Sequence, residues 1–260
     1  MYTCLSEPQV AAYLERIGYC GEVSPSLSVL KKLVYCHSTS VPFENLDVYY
    51  CRKEPELTCA ALYEKIVVCR RGGYCFELNG LFLKLLSALG FCAAPHIARI
   101  KKGDFLPPPS HEILIAELCG ERYFVDVGFG GPAPSAPLKL IYDCEIECTS
   151  GRTYRFEKRG ALVALQLKKG GIFSDMMLFS EAPCDEIDFL PLNAFCAYSP
   201  KEPFVHKPMA WLRTEKGKVS IDDNLLRIEC EGENAETPLD SSDKMTDALE
   251  KHFGITFAIK

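Results

Sequence analysis

The sequence lacks several features that mark specialised classes of protein. It has no excess of basic residues, because 29 Lys and Arg stand against 35 Asp and Glu, for a net charge of −6. This balance argues against nucleic acid or an anionic membrane as the main partner. No apolar run approaches the length of a transmembrane helix, and the N-terminus lacks the basic-then-apolar pattern of a signal peptide. We therefore expect a cytoplasmic protein with no nucleic-acid or membrane partner.

The fourteen cysteines lack the spacing of a metal module. No CxxC motif occurs, and the closest pair, Cys144 and Cys148, has no second pair or histidine at the spacing of a zinc finger. A disulfide framework requires an oxidising compartment, and the sequence carries no signal for one. We therefore expect mostly reduced, structural thiols and no metal site.

The hydrophobic pattern divides the chain into three consecutive regions. Residues 1–90 place apolar side chains at helical spacing between short polar turns, which predicts a helical bundle. Residues 91–182 form short strand-like runs separated by Gly, Pro or charged turns, which predicts an antiparallel sheet or barrel. Residues 183–260 mix helical and strand patterns. The predicted fold class is therefore α+β, with three contiguous units.

The stretch RRGGYCFELN, Arg70–Asn79, contains the first candidate for chemistry. A glycine-marked turn leads into an apolar helical pattern, so that Cys75 lies where the helix begins. Unpaired backbone N–H groups and the partial positive charge of a helix N-terminus favour a thiolate. The alternative is a small buried structural thiol, which is the commoner role of cysteine.

A predicted hairpin supplies a base and an acid for this thiol. His111 opens the strand HEILIAEL, and Asp126 lies near the end of the next predicted strand, Tyr123–Val127, so antiparallel pairing brings the two residues close together. Each has a structural alternative, since His111 can face water and Asp126 can cap the backbone of the following glycine loop. Asp126 nevertheless stands in an apolar context, and buried carboxylates are rare without a partner. Together with Cys75 they form a candidate Cys–His–Asp relay in the chain order of papain-like thiol enzymes.

Four motifs in this order resemble an arylamine N-acetyltransferase: VPFENLDV, RRGGYCFELN, the Ser-His that opens HEILIAEL, and VDVGFGG. YLERIGY near the start and SPKEPFVHKPMAWLRTEKG near the end extend the resemblance across essentially the whole chain. The resemblance implies a papain-like arrangement of a helical bundle, a β-barrel and an α/β lid. It also implies acetyl-coenzyme A as acetyl donor and an arylamine or hydrazine as acceptor. Cys75 would carry the acetyl group between them, with His111 and Asp126 as its partners and ping-pong kinetics.

The resemblance also suggests which residues contact the two substrates. Three aromatic residues match positions that line the acceptor pocket in the family, although each is as readily a core residue: Phe43, Phe129 and Phe204. The glycines after the strand have N–H groups that can approach the cofactor, although such a turn is often only a turn: Gly128, Gly130 and Gly131. Glu44 and Arg71 belong to two motifs that must lie close together, and we expect them to form a structural ion pair.

Two features depart from the usual family pattern. Tyr74 precedes the cysteine, where many members have tryptophan, and three prolines precede Ser110. Three alternative functions also remain open. A related amide synthase would use the same triad with another acyl donor, and a papain-like hydrolase would use water as acceptor. A non-enzymatic, cysteine-rich metal or redox protein is the third, and the absence of CxxC motifs counts against it.

Overall fold

The computed structural model describes residues 5–101, 103, 105–148 and 151–259. Its first third is helical and has one short strand, β1 (Phe43–Glu44). Serine and threonine side chains cap two of the helices, since Ser26 accepts from the N–H of Val29 and Thr58 from that of Ala61. The five helices are α1 (Glu7–Arg16), α2 (Leu27–Ser40), α3 (Leu46–Cys51), α4 (Cys59–Tyr63) and α5 (Cys75–Ala88).

Helix α5 is the centre of this bundle. It is apolar around most of its circumference and almost every residue is buried, as expected for a helix enclosed by the rest of the fold. Glu77 caps its start, because its Oε2 accepts a hydrogen bond of 3.0 Å from the N–H of Tyr74. A π-helical turn (Glu64–Val68) follows α4 and leads to the loop before α5.

The middle of the chain forms an eight-stranded antiparallel sheet. Its strands are ordered β5-β4-β3-β2-β9-β8-β7-β6, and a bridge between Tyr142, which follows β5, and Phe156 on β7 nearly closes the sheet into a barrel. The rings of Phe124, Phe156 and Phe179 pack together inside it. The strands are β2 (Cys92–Ile100), β3 (His111–Leu118), β4 (Glu121–Val125), β5 (Leu138–Lys139), β6 (Ile146–Glu147), β7 (Thr153–Arg159), β8 (Leu162–Lys169) and β9 (Ile172–Ser180).

The last third combines two helices with a second antiparallel sheet. β1 joins this sheet by pairing with β10, with Phe43 opposite Trp211, so the helical region contributes a strand to the C-terminal unit. The elements are α6 (Phe189–Tyr198), β10 (Met209–Thr214), β11 (Gly217–Asp222), β12 (Leu225–Cys230), β13 (Glu233–Pro238) and α7 (Ser242–Phe253). The predicted α+β fold, a helical bundle, a barrel-like sheet and an α/β lid, is confirmed. The domain boundaries after residues 90 and 182 stay a prediction.

A buried network of charges joins β1, α3, the π-helical turn and α5. Arg71 Nη2 lies 2.7 Å from Glu44 Oε1, so the expected structural pair is present. Lys65 Nζ lies 2.7 Å from Glu77 Oε1 and 2.6 Å from Asp47 Oδ2. Because Glu77 also caps α5, this network fixes the start of that helix.

Three global properties concern only the residues described here. None of their helices is long and apolar enough to cross a membrane. No group of three or more His, Cys, Asp or Glu side chains among them is arranged to hold a metal ion. Twelve of the described cysteines are free thiols, and Cys59 is disulfide-bonded.

His37 is a titratable residue buried in the helical bundle. It is fully buried between the rings of Tyr13 and Phe82, and neither of its ring nitrogens has a hydrogen-bond partner within the described residues. Burial, helped by the charge of Arg16, lowers the pKa of His37 to about 3. Between pH 6.5 and 3 the unfolded chain therefore binds a proton at His37 that the folded chain does not, and acid favours unfolding.

We expect His37→Leu to flatten the acid dependence of stability. The free energy of unfolding of the parent protein should lose about 3 kcal/mol between pH 7 and pH 4 through this residue, because each unit of pKa difference contributes about 1.4 kcal/mol. Urea unfolding at the two pH values measures the effect. The same substitution at the exposed His206 is the control, and an equal slope in both variants would rule out His37 as the source.

Candidate active site

Cys75 is the first residue of α5 and is buried. The loop before Cys75 is closely packed, because a Cβ atom at Gly72 would lie only 1.9 Å from the carbonyl oxygen of Pro42. A Cβ at Gly128 would lie 2.7 Å from Cα of Cys75. Glycine is thus required on both sides of the helix start, and the backbone around the thiol is closely packed.

His111 and Asp126 meet at the end of the β3–β4 hairpin. The strands pair in antiparallel register with Leu114 opposite Val125, so the start of β3 lies beside the residue after β4. Nε2 of His111 lies 2.8 Å from Oδ2 of Asp126, and both side chains are buried. The hairpin predicted from the sequence therefore forms and brings the two side chains into direct contact.

The thiol of Cys75 and the imidazole of His111 lie close enough for each group to shift the pKa of the other. Burial alone would lower the pKa of His111, but Asp126 and Cys75 raise it to about 10. The ring is therefore a cation at neutral pH. Burial raises the pKa of Cys75 above its usual value, because desolvation outweighs the opposing effect of His111. The thiolate expected from the helix start therefore depends on the charge of His111 rather than on the helix alone.

Asp126 also binds the backbone and a neighbouring amide. Its Oδ1 accepts hydrogen bonds from the N–H of Gly128 at 2.9 Å and from Nδ2 of Asn79 at 3.1 Å. From the sequence, binding to His111 and capping of the glycine loop were alternatives for Asp126. The structure shows both, one on each carboxyl oxygen. The N–H of Gly128 already donates to Asp126. The backbone of Gly128 also lies so close to Cys75 that a side chain would not fit, which explains the glycine without a cofactor contact.

Asn79 connects α5 to both strands of the hairpin. Its Nδ2 also donates to the carbonyl oxygen of Glu112 at 2.6 Å, and its Oδ1 accepts from the N–H of Val127 at 3.0 Å. Asn79 is the last residue of the motif RRGGYCFELN, but the sequence alone did not indicate a role for it. The available signal was its position four residues after Cys75, which places both on one face of the helix.

Cys196 on α6 is a second buried thiol beside the first. The Sγ atoms of Cys75 and Cys196 each donate to the carbonyl oxygen of Ser110 at 3.7 Å. Nothing in the sequence distinguishes Cys196 from the other scattered cysteines, so sequence reasoning missed it.

A cavity of about 270 Å³ opens in front of Cys75 and His111. The ring of Phe129 lies edge-on to His111 with 5.5 Å between centroids, and the rings of Phe43 and Phe204 are 6.1 Å apart. Asp126 lies behind His111 and does not line the cavity. All six residues predicted to contact substrates do line it: Phe43, Phe129, Phe204, Gly128, Gly130 and Gly131.

Comparison with known proteins places the chain in a family. The family model described as N-acetyltransferase matches residues 26–260. The chain is 32% identical over 255 residues to the arylamine N-acetyltransferase of Mycobacterium bovis, covering 96% of this chain and 90% of that protein. It is 34% identical over 201 residues to the arylamine N-acetyltransferase of Escherichia coli, covering 76% and 71%.

Solved structures agree with this match. The arylamine N-acetyltransferase from Salmonella typhimurium superposes with a TM-score of 0.91 at 28% identity, covering 98% of this chain and 93% of the other. The Mycobacterium marinum enzyme in complex with CoA gives a TM-score of 0.87 at 31% identity, covering 95% and 93%. In sequence and in fold, then, this chain belongs to the arylamine N-acetyltransferase family, whose members are acyltransferases.

Proposed function

We propose that this protein transfers an acetyl group from acetyl-coenzyme A, through a thioester on Cys75, to the amino group of an arylamine or hydrazine. The observation that carries this proposal is the arrangement of Cys75 beside His111 at the wall of an aromatic cavity, with His111 hydrogen-bonded to Asp126. Family membership supports the acyl transfer, and the M. marinum relative was solved in complex with CoA.

The first half-reaction acetylates Cys75. Its thiolate attacks the thioester carbonyl carbon of acetyl-coenzyme A, and the carbon–sulfur bond to coenzyme A breaks. His111 gives its proton to the leaving thiolate and becomes neutral. Asp126, bound to Nε2, keeps the other ring nitrogen turned towards Cys75 and stabilises the charged ring before this transfer.

The second half-reaction returns the enzyme to its starting state. The neutral amine of the acceptor attacks the acetyl-cysteine carbonyl carbon, and the carbon–sulfur bond to Cys75 breaks. The nitrogen loses one proton to neutral His111, which restores the thiolate–imidazolium pair and releases the amide. The two steps share one cavity, so coenzyme A must leave before the acceptor is acetylated, which gives ping-pong kinetics.

The cavity walls suit an aromatic acceptor better than water. The rings of Phe43, Phe129 and Phe204 offer an apolar surface next to the acetyl group, which disfavours hydrolysis of the thioester. Gly130 and Gly131 remain candidates for contact with coenzyme A. Gly128 lines the cavity as well, but its N–H donates to Asp126, so we assign no cofactor contact to that group.

Incubation with acetyl-coenzyme A alone should add the mass of one acetyl group to the protein. Cys75→Ser should abolish the adduct, whereas Cys196→Ser, which alters the other thiol on the Ser110 carbonyl, should retain it. An arylamine such as aniline should discharge the adduct faster than buffer does. Intact-protein mass spectrometry follows all three. Absence of the adduct would refute the proposal, and equally fast discharge in buffer would favour a hydrolase.

Asp126→Asn should reduce the rate of acetylation by about 10³–10⁴-fold, because His111 loses both its orienting partner and its charge. In the parent protein the pKa of His111 is about 10, so its imidazolium is present at neutral pH and lowers the pKa of the nearby Cys75 thiol. In the variant, alkylation of Cys75 by iodoacetamide should be slow at pH 7 and rise only in alkali. Stopped-flow alkylation across pH measures this. An unchanged pH profile would show that Asp126 does not control the thiol.

Asn79→Ala should affect stability and thiol reactivity together. Three buried polar groups lose their partner, so the free energy of unfolding should fall by about 2 kcal/mol. The alkylation rate of Cys75 at pH 7 should also fall, because Asp126 is held less firmly behind His111. Ser87→Ala, on a distant turn of the same helix, serves as the control. A loss of stability with full reactivity would limit Asn79 to a purely structural role.

A further inference from the structure

A second cavity lies on the other side of the catalytic elements. It measures about 500 Å³ and is separate from the cavity in front of Cys75. Its walls come from the loop before α4, the outer face of α5 and the segment that leads into α6. Phe76 and Glu112 line it, and these are the chain neighbours of Cys75 and His111. The cavity therefore reaches the same two elements from behind.

A glycine in the middle of α5 helps to keep this cavity open. Gly80 lines the cavity, and a Cβ atom added there would meet only Cδ1 of Leu62, at an ordinary contact distance of 3.6 Å. Alanine would therefore fit, and alanine is more stable than glycine inside a helix. Packing therefore does not explain the glycine. Because Gly80 has no side chain, the space beside it is part of the cavity.

Glu112 presents a buried carboxyl group to this cavity. The residue is only 3% exposed, and its side chain makes no hydrogen bond or ion pair with any other residue that the structure describes. Burial and the nearby carboxylates of Glu186 and Asp126 raise the pKa of Glu112, while Lys84 acts in the opposite direction. Lys84 is itself in contact with Glu186. The ionised form of this carboxyl group is therefore costly in the empty cavity, and an incoming ammonium group would stabilise that form.

The charges around the cavity have one predominant sign. Four acidic side chains line it, those of Glu54, Glu56, Glu112 and Glu186, against the single basic side chain of Lys84. Glu54 accepts from Nδ2 of Asn193 and Glu56 from the hydroxyl of Thr58, so neither is neutralised by a cation in these contacts. Thr58 and Asn193 also line the cavity, and most of the other lining residues are apolar, among them Leu57, Leu62, Phe76, Leu83, Phe189 and Leu190.

We propose that this cavity is a second ligand site, which binds a small amphiphilic cation with an aromatic or branched apolar body and one protonated amine. The apolar body lies against Phe76 and Leu83 in the space above Gly80. The ammonium group pairs with Glu112, which releases its proton to solvent on binding and is then a carboxylate. Because Phe76 follows Cys75 and Glu112 follows His111, an occupant contacts both catalytic elements without entering the catalytic cavity.

Isothermal titration calorimetry with N,N-dimethyl-2-phenylethylamine tests the proposal on the full chain. This tertiary amine has no N–H to be acetylated, so it cannot act as an acceptor. The matched anion, 3-phenylpropanoate, has a similar body with the opposite charge. We expect saturable binding of the amine and at least tenfold weaker binding of the anion.

Two variants locate the site. Glu112→Gln should weaken amine binding at least tenfold, and Gly80→Leu should abolish it by filling the cavity. Thermal melts establish that each variant is folded, and the Gly80 variant tests the site even if the Glu112 variant is unstable. Alkylating Cys75 with iodoacetamide should leave amine binding unchanged, which separates this site from the catalytic cavity.

Several results would overturn the proposal. The proposal is wrong if the parent protein does not bind the amine or binds the anion equally well. It is also wrong if Gly80→Leu binds the amine as tightly as the parent, or if alkylation of Cys75 abolishes binding. None of them bears on acetyl transfer, which is measured independently by the mass of the acetyl adduct.

Discussion

The site depends on one buried carboxylate. Asp126 uses one oxygen for His111 and the other for the N–H of Gly128 and the amide of Asn79. Those partners come from the β3–β4 hairpin, the loop after it and helix α5, so a single group joins the three elements that make up the site. Hydrogen bonds to a charged acceptor are stronger than neutral ones, and the low polarity of the surroundings strengthens them further.

A second set of charges fixes the other partner in the relay. Glu77 caps the start of α5 and pairs with Lys65, while Arg71 pairs with Glu44 on β1. Each ion is buried or nearly so, and each has an opposite charge within direct contact. Such networks do little for net stability compared with apolar packing, but they fix geometry. In this protein the network fixes the position of Cys75 relative to the β3–β4 hairpin.

Much of the fold and the main site residues follow from the sequence. The change from helical to alternating periodicity near residue 90 marks the transition from the bundle to the barrel, and the hairpin follows from two strand patterns around a short turn. The position of Cys75 follows from the glycines before an apolar helix. These features are local, which is why sequence reasoning reaches them. The resemblance to the family supplied the pocket aromatics Phe43, Phe129 and Phe204.

The remaining features depend on contacts between distant parts of the chain. The strand pairing of β1 with β10, the position of Cys196 beside Ser110 and the buried carboxyl of Glu112 have no local signature. The balance of burial against charge at Cys75 is likewise set by the whole fold, because desolvation depends on every layer of atoms around the sulfur. The helix start alone therefore does not determine the ionisation of Cys75, because burial and His111 act on it as well.

The participation of β1 in the C-terminal sheet has a consequence for how the protein is made. Asn45, directly after β1, donates to the carbonyl oxygen of Phe204, 159 residues further along, and Phe43 pairs with Trp211. One aromatic wall of the catalytic cavity is therefore completed only when the last quarter of the chain has left the ribosome. Cys75, His111 and Asp126 are all synthesised earlier than that. During translation the proposed nucleophile is therefore made before the aromatic wall that shields it.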